Sequence, residues 1–313
     1  MLITCRPGTH RDNLRRDVAH VGNEIGNLRG AHFGSAHDRL LAYLGWANEA
    51  VRLLGTQISD SDLRSLVLTP RYDALLAGAA DLGSGTTGPL LNGLLNLEMG
   101  QRYDDFEAAL KALDQQIERW SRPGVFVVAD SSFYCRHEDK LEEVDFAKAI
   151  GVREEKIHLL VPMVIVDELD GLKQKGQEQT RWRAGYTLAV LDRVLQNPNQ
   201  PARLRDEDFS ALDHGGIPRG EITVELVFDP PGHSRLPIED EEIIARALAV
   251  QSLAGRPVTL VTFDTGQSMR ARQAGLRVVK LTTPQGEEPA KQERAGGGRR
   301  RGQKEPTATL VEK

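Results

Sequence analysis

Cysteine is nearly absent from this chain: Cys5 and Cys135 are the only two in 313 residues, and they form no CxxC pair. They support neither a disulfide framework nor a cysteine-based zinc site, and a reducing cytoplasm is the expected home. Long apolar runs are missing too. No stretch of about 18 apolar residues occurs, so no membrane span is expected. The opening segment MLITCRPGTHRDNLRRD lacks the continuous apolar centre that a signal peptide needs. Charge of one sign is scarce as well: the net value of −5 leaves room for a local basic groove and says little about partners.

The length suits two domains. Residues 1–34 are polar and glycine-rich with scattered Arg and His, and partial order is expected there. From Ser35 the pattern turns helical, with Leu40, Leu41, Leu44, Ala47, Val51 and Leu54 at helix spacing. Ser35 followed by Asp38 reads as a capping pair. Pro89 suits a first helical turn, and Phe106, Leu110, Leu113 and Ile117 mark a helix over 103–120. Residues 1–122 thus read as a small all-α domain. The breaker cluster Ser121-Arg122-Pro123-Gly124 marks its end.

Beyond it, apolar β-branched runs alternate with helical patterns. VFVVAD (125–130), IHLLVPMVIV (157–166), EITVELVF (221–228) and VTLVTFD (258–264) read as strands, and a last strand is expected within ARQAGLRVVKL (271–281). Helices are expected at 141–151, 168–195 and 238–255, and 197–220 reads as a loop insertion. Such alternation predicts an α/β fold, a mostly parallel sheet covered on both faces in three layers, over 123–283. The tail 284–313 contains AGGGRRRGQK and reads as disordered.

Acids gather at the ends of these runs. VFVVAD closes on Asp130, VPMVIVDEL delivers Asp167 and Glu168, VTLVTFD closes on Asp264, and the helix at 238–255 opens with Glu239, Asp240, Glu241 and Glu242. Ligand sites of open α/β sheets lie at the carboxyl ends of strands, so Asp130, Glu168 and Asp264 should share one edge, with Asp240 joining them. Crowded carboxylates repel and raise one another's pKa. A hard divalent cation with oxygen ligands neutralises them, and one or two such ions can activate water against a phosphodiester. The plainer reading of each acid is a helix cap or dipole partner, and for Asp167 that reading is preferred.

The segments VVADSSF, VPMVIVDELDGLK, IEDEEIIARAL and VTLVTFD, in that order and spacing, resemble the successive acidic motifs of PIN-domain nucleases over about 123–283. The form of the second resembles the larger PIN domains fused to PhoH-type ATPases, although no Walker A motif is present. The resemblance implies a PIN-like α/β/α domain in which Asp130, Glu168, Asp240 and Asp264 are the catalytic acids and hold Mg²⁺ or Mn²⁺. It implies an endoribonuclease acting on single-stranded or structured RNA. Ser131 and Thr262 would support the site. Two positions depart from the family's usual pattern: Asp130-Ser131-Ser132 where Asp-Thr-Asn is common, and Thr262-Phe263-Asp264 where Thr-Asn-Asp is common. These motivate two alternatives, an RNA-binding or scaffold protein of little or no activity and a toxin of a toxin–antitoxin pair. The added helical region argues against the toxin.

Lys173, Arg181 and Arg183 are the expected substrate-binding cations. Trp182 between the two arginines could stack on bases, or be a buried ring between solvated charges. His233 reads as an exposed loop residue. GSGTTG (83–88) follows a helical segment rather than a strand, and reads as a loop, not a nucleotide site. Arg299, Arg300 and Arg301 would add sequence-independent affinity for nucleic acid, or simply solubilise the tail. The remaining expected partners are a second copy of the chain, as a homodimer, and an unidentified ligand of the helical region.

Overall fold

The computed structural model describes residues 3–82, 87–216 and 218–282. Most of the GSGTTG segment and the tail with Arg299–Arg301 lie outside the described residues.

Helix α1 (Arg11–Gly30) occupies the stretch for which the sequence predicted partial order. Its buried residues Leu14, Val18, Val21 and Ile25 form a narrow stripe among polar neighbours. The glycines that suggested disorder are contact points. A Cβ at Gly22 would stand 3.2 Å from Phe106 Cβ, and one at Gly26 would stand 3.1 Å from the Tyr103 ring. Their missing side chains let α1 lie close against the long helix α6, and packing supplies what local propensity does not.

Helix α2 (Ala36–Leu54) is capped as its sequence suggests: Ser35 Oγ accepts from the Asp38 N–H and donates to Asp38 Oδ2 at 2.8 Å. Leu40, Leu44, Ala47 and Leu54 are buried, whereas Leu41 is turned outward. Short helices α3 (Asp60–Leu66), α4 (Pro70–Ala77) and α5 (Ala79–Leu82) lead to α6 (Gly88–Trp120), which has Pro89 in its first turn and runs 33 residues, well beyond the expected 103–120.

The α/β region continues directly through β1 (Val125–Ala129), α7 (Ser131–Arg136), α8 (Phe146–Ile150), β2 (Ile157–Pro162), α9 (Met163–Lys175) and α10 (Glu178–Val194). It closes with β3 (Ala202–Arg205), β4 (Ile222–Val227), α11 (Glu239–Ala254), β5 (Val258–Thr262), α12 (Thr265–Gln273) and β6 (Arg277–Lys280). The sheet order is β3-β4-β2-β1-β5-β6. Every neighbouring pair is parallel except β3 with β4. Every residue of β2 and β5 is buried, so both faces of the sheet centre are covered.

Three expectations change. The apolar run 157–166 is not one strand: β2 ends at Pro162 and α9 begins at Met163. A continuously apolar run fits a buried strand and a buried helix equally well, and periodicity cannot divide it. The helix expected over 168–195 is two, α9 and α10, separated at Gly176 and Gln177. The insertion 197–220 holds the antiparallel edge strand β3 and a 3₁₀ turn at Ser210–His214, so it is not pure loop.

Met1–Leu281 forms one compact unit. Arginines fasten the all-α region to the sheet. Arg119 and Arg122 both pair with Glu225 of β4, whose side chain is 1% exposed. Arg256 donates to the carbonyls of Ser121, Arg122 and Gly124, and Arg11 donates to those of Leu253 and Ala254. Phe106, 1% exposed, packs edge-on against Trp46 at 6.0 Å. Phe106→Ala should therefore cost about 3–5 kcal/mol. Urea unfolding followed by far-UV circular dichroism and by tryptophan emission should show one shared transition moved to lower urea. Separate transitions for the two regions would contradict the shared unit.

Candidate metal centre

The chain leaves β1 for β2 on one side and later returns to β5 on the other. The crevice at the carboxyl ends of β1 and β5 is therefore the topological switch point, the usual ligand position in such a sheet. Asp130 and Asp264 stand there as the N-caps of α7 and α12. Each accepts from a backbone N–H of the first turn, Phe133 and Gln267 respectively.

Asp130 is buried and fully engaged. Ser132 Oγ lies 2.9 and 2.7 Å from its two oxygens, and Thr262 Oγ1 donates to Oδ2 at 2.6 Å. Thr262 Oγ1 also accepts from the Asp264 N–H, and Ser132 Oγ accepts from the Phe263 N–H at 3.2 Å. The two short hydroxyl side chains thus stitch the end of β1 to the end of β5. Burial raises the Asp130 pKa above the usual carboxylate value. The bonds from Thr262, Ser132 and Phe133 N–H oppose that rise, and the charge of Asp240 adds to it.

Glu168 arrives from α9, on its second turn rather than at a strand end. Burial pushes its pKa up to about 7, against a hydrogen bond from Ser131, and the neighbouring carboxylates of Glu239 and Asp240 push it further. Its Oε2 is buried with no hydrogen-bond partner. Asp240, in the first turn of α11, is also raised, first by burial; Arg270 opposes that shift, while Asp264 and Glu239 reinforce it. Asp240 thus links the other three acids, acting on Asp130 and Glu168 and being acted on by Asp264, and Ser131 and Thr262 each bond to one of the four.

Several partners were not legible. Glu239 is a close carboxylate neighbour of Glu168. Arg270 pairs with Asp240 at 2.6 Å. Glu242, in the same acidic first turn, is completely buried and accepts from the Leu236 N–H, with His233 Nε2 at 2.8 Å and Arg246 Nε at 3.0 Å. His233, expected as a free loop residue, is therefore part of a buried cluster. Asp167, expected as a helix cap, lies inside α9 and pairs with Arg235, because the helix starts five residues earlier than the sequence suggested.

The substrate-binding expectations divide. Lys173 and Arg181 are exposed. Arg183 is committed to the protein, donating to the carbonyls of Glu138 and Asp139. Trp182 is not a buried ring: it is 53% exposed.

The donor set fits a hard cation. It is all oxygen, Asp240 raises the pKa of both Asp130 and Glu168, and Glu168 Oε2 is buried without a hydrogen-bond partner. Among the described residues no three His, Cys, Asp or Glu side chains are arranged to hold an ion on their own. Mg²⁺ does not require that, since it characteristically keeps several waters and takes one or two carboxylates.

The raised Glu168 pKa has a signed consequence. The unfolded chain loses this proton near the ordinary 4.5, whereas the folded chain keeps it to about 7. The stability it contributes is present below the unfolded pKa and is lost as pH rises through that window. In EDTA, the melting temperature of the wild type should fall relative to Glu168→Gln between those two pH values. A constant difference across the window would contradict the assignment.

No curated protein matches the chain. Residues 127–282 match the family model described as the PIN domain, a family generally made up of metal-dependent nucleases. The matched span runs from within β1 past the end of β6 and takes in all four acids. With its six-stranded, mostly parallel sheet and the helices before it, the protein is a PIN-like α/β domain preceded by an all-α region.

Proposed function

We propose that the protein is a divalent-metal-dependent endoribonuclease that hydrolyses RNA phosphodiester bonds. What supports this reading is that Asp240 interacts with Asp130, Glu168 and Asp264 in turn, while Glu168 Oε2 is buried and unpartnered. Glu168 and Asp240 are the carboxylates best placed to hold Mg²⁺ or Mn²⁺, with Asp130 and Asp264 completing the negative field. Bound there, the ion would supply a Lewis acid that lowers the pKa of water and offsets charge on the phosphodiester.

The chain's own residues set the stage for that chemistry. Thr262 and Ser132 fix the orientation of Asp130, and Ser131 orients Glu168. Ser132 meets the loss of the usual amide, because its hydroxyl reaches both Asp130 and the backbone after Thr262. Lys173 and Arg181 are free to meet substrate phosphates. Arg183 instead braces the segment after α7.

One observation favours a second reading, RNA binding with little turnover: Arg270 already neutralises Asp240. Cleavage that appears only in Arg270→Ala would support it.

Incubation of the pure protein with labelled RNA and Mn²⁺ or Mg²⁺ should give products with a 5′-phosphate and a free 3′-hydroxyl. Asp130→Ala should slow cleavage on the order of a thousandfold or more. Cyclic 2′,3′-phosphate ends, or cleavage undiminished in EDTA, would rule the mechanism out.

The same site predicts a thermal shift. Divalent ions should raise the melting temperature, since a ligand of the native state alone stabilises it. Asp130→Asn and Asp264→Asn should each weaken that rise. Equal rises in wild type and both variants would remove these acids from the metal site.

A further inference from the structure

Trp46 and Trp120 are 6% and 5% exposed, whereas Trp182 leaves 53% of its surface in water. Trp182 is also held still. Its ring stacks on Tyr186, one helical turn along α10, with centroids 5.3 Å apart and planes inclined by 17°. Tyr186 cannot swing away, because its hydroxyl donates to Glu142 Oε2 at 2.6 Å and Lys140 Nζ sits 5.5 Å from its ring centroid. One face of the indole is thus covered by Tyr186, and the ring is presented to solvent in a fixed orientation.

The surroundings are polar and carry charges of both signs, with Glu178 one turn before the ring and Glu143 near Tyr186. The stem of Lys173 runs along α10 at Gly185, 3.8 Å from where a Cβ would stand. Arg181 adjoins the ring in sequence, and the nearby Glu142 is taken up by Tyr186 and Arg193. Glu178, Gln179, Thr180, Arg181 and Arg183 precede and follow the ring without an apolar residue among them. A lone rigid aromatic in such a setting suits one flat polar ligand, not the apolar centre of a protein interface.

The platform is also continuous with the acid cluster. Helix α10 packs on α9, which carries Glu168, and on α7, which Asp130 caps. Arg183, beside Trp182, holds the segment that follows α7. The seven residues from Glu168 to Lys175 at the end of α9 rise about 10 Å, and α10, which carries the platform, begins three residues later.

We propose that Trp182, backed by Tyr186, is a stacking platform for an unpaired nucleobase, so that the substrate is RNA that is single-stranded beside the cleaved bond. Lys173 and Lys140 flank the base and meet the adjoining phosphates. This rests on the nuclease reading for its purpose, but not for its detection. Stacking on aromatic rings tolerates any base, so the platform selects for lack of pairing and not for sequence.

The test is titration of the full-length protein with a short oligouridine in EDTA, where no cleavage intrudes. Trp182 is the accessible indole, so its emission should be quenched saturably, and Trp182→Phe should lose that signal while keeping its melting temperature. Affinity should fall about tenfold in Trp182→Ala and less in Trp182→Phe. An oligonucleotide with an abasic residue at the stacked position should show the same loss, with no further loss in the variant. The salt dependence of binding should be unchanged in Trp182→Ala and shallower in Lys173→Ala. Unchanged affinity in Trp182→Ala, or RNA binding without quenching, would overturn the platform even if Asp130-dependent cleavage were intact. Quenching and a Trp182-dependent affinity without cleavage in Mn²⁺ would keep the platform and remove the nuclease reading. RNA neither bound nor cleaved would remove both.

Discussion

The buried carboxylate of Asp130 is the constraint around which the α/β region is arranged. A carboxylate out of water needs hydrogen bonds, and here they come from a serine two residues on, a threonine at the end of β5 and the first turn of α7. Meeting that need brings the ends of β1 and β5 together. It also fixes the direction of α7 and sets the backbone of Phe263 and Asp264 through the same two hydroxyls. The satisfied carboxylate is thus the fixed point of the site. Glu168 is its counterpart: it too lies beside like charges, those of Glu239 and Asp240, but has an oxygen left unpartnered. One acid anchors the edge, and the other leaves a demand for positive charge.

The positive charges nearby are answers to similar demands. Arg270 attends Asp240, Arg235 attends Asp167 and Asp229, and Arg246 with His233 attends Glu242. Across the sheet, Arg119 and Arg122 attend Glu225. A buried charge stripped of its partner is strongly destabilising, so the pairs of fully buried Glu242 and Glu225 fix where α11, the loop before it and the end of α6 can sit.

Much of this was legible because it is local. Strand-end acids follow runs too apolar to be anything but buried, and Ser35 with Asp38 announces a cap within a few residues. The α/β class followed from strand and helix patterns alternating over the second half of the chain. What was not legible depends on partners distant in sequence. Nothing near Gly22 and Gly26 announces the rings of Phe106 and Tyr103. Nothing in IEDEEII separates buried Glu242 from the less buried acids beside it, because that depends on His233 and Arg246 reaching it from either side. The division of the 157–166 run fell at Pro162, a residue that ends a strand and opens a helix with equal ease. Arg183 looked like a ligand because its carbonyl partners lie more than forty residues earlier.

Helix α11 is held from both ends by different parts of the chain. Its first turn carries Asp240 into the acid cluster, and its last carbonyls, those of Leu253 and Ala254, receive Arg11 from the first helix of the chain. Residues 127–282, the span that matches the family, therefore sit within one compact unit with the helical region. A chain begun at Pro123 would leave Glu225 buried without either arginine, α11 would lose its packing against α6, and the carbonyls of Leu253 and Ala254 would lose Arg11. The helix that carries Asp240 at its start is thus held at its far end by the first helix of the chain.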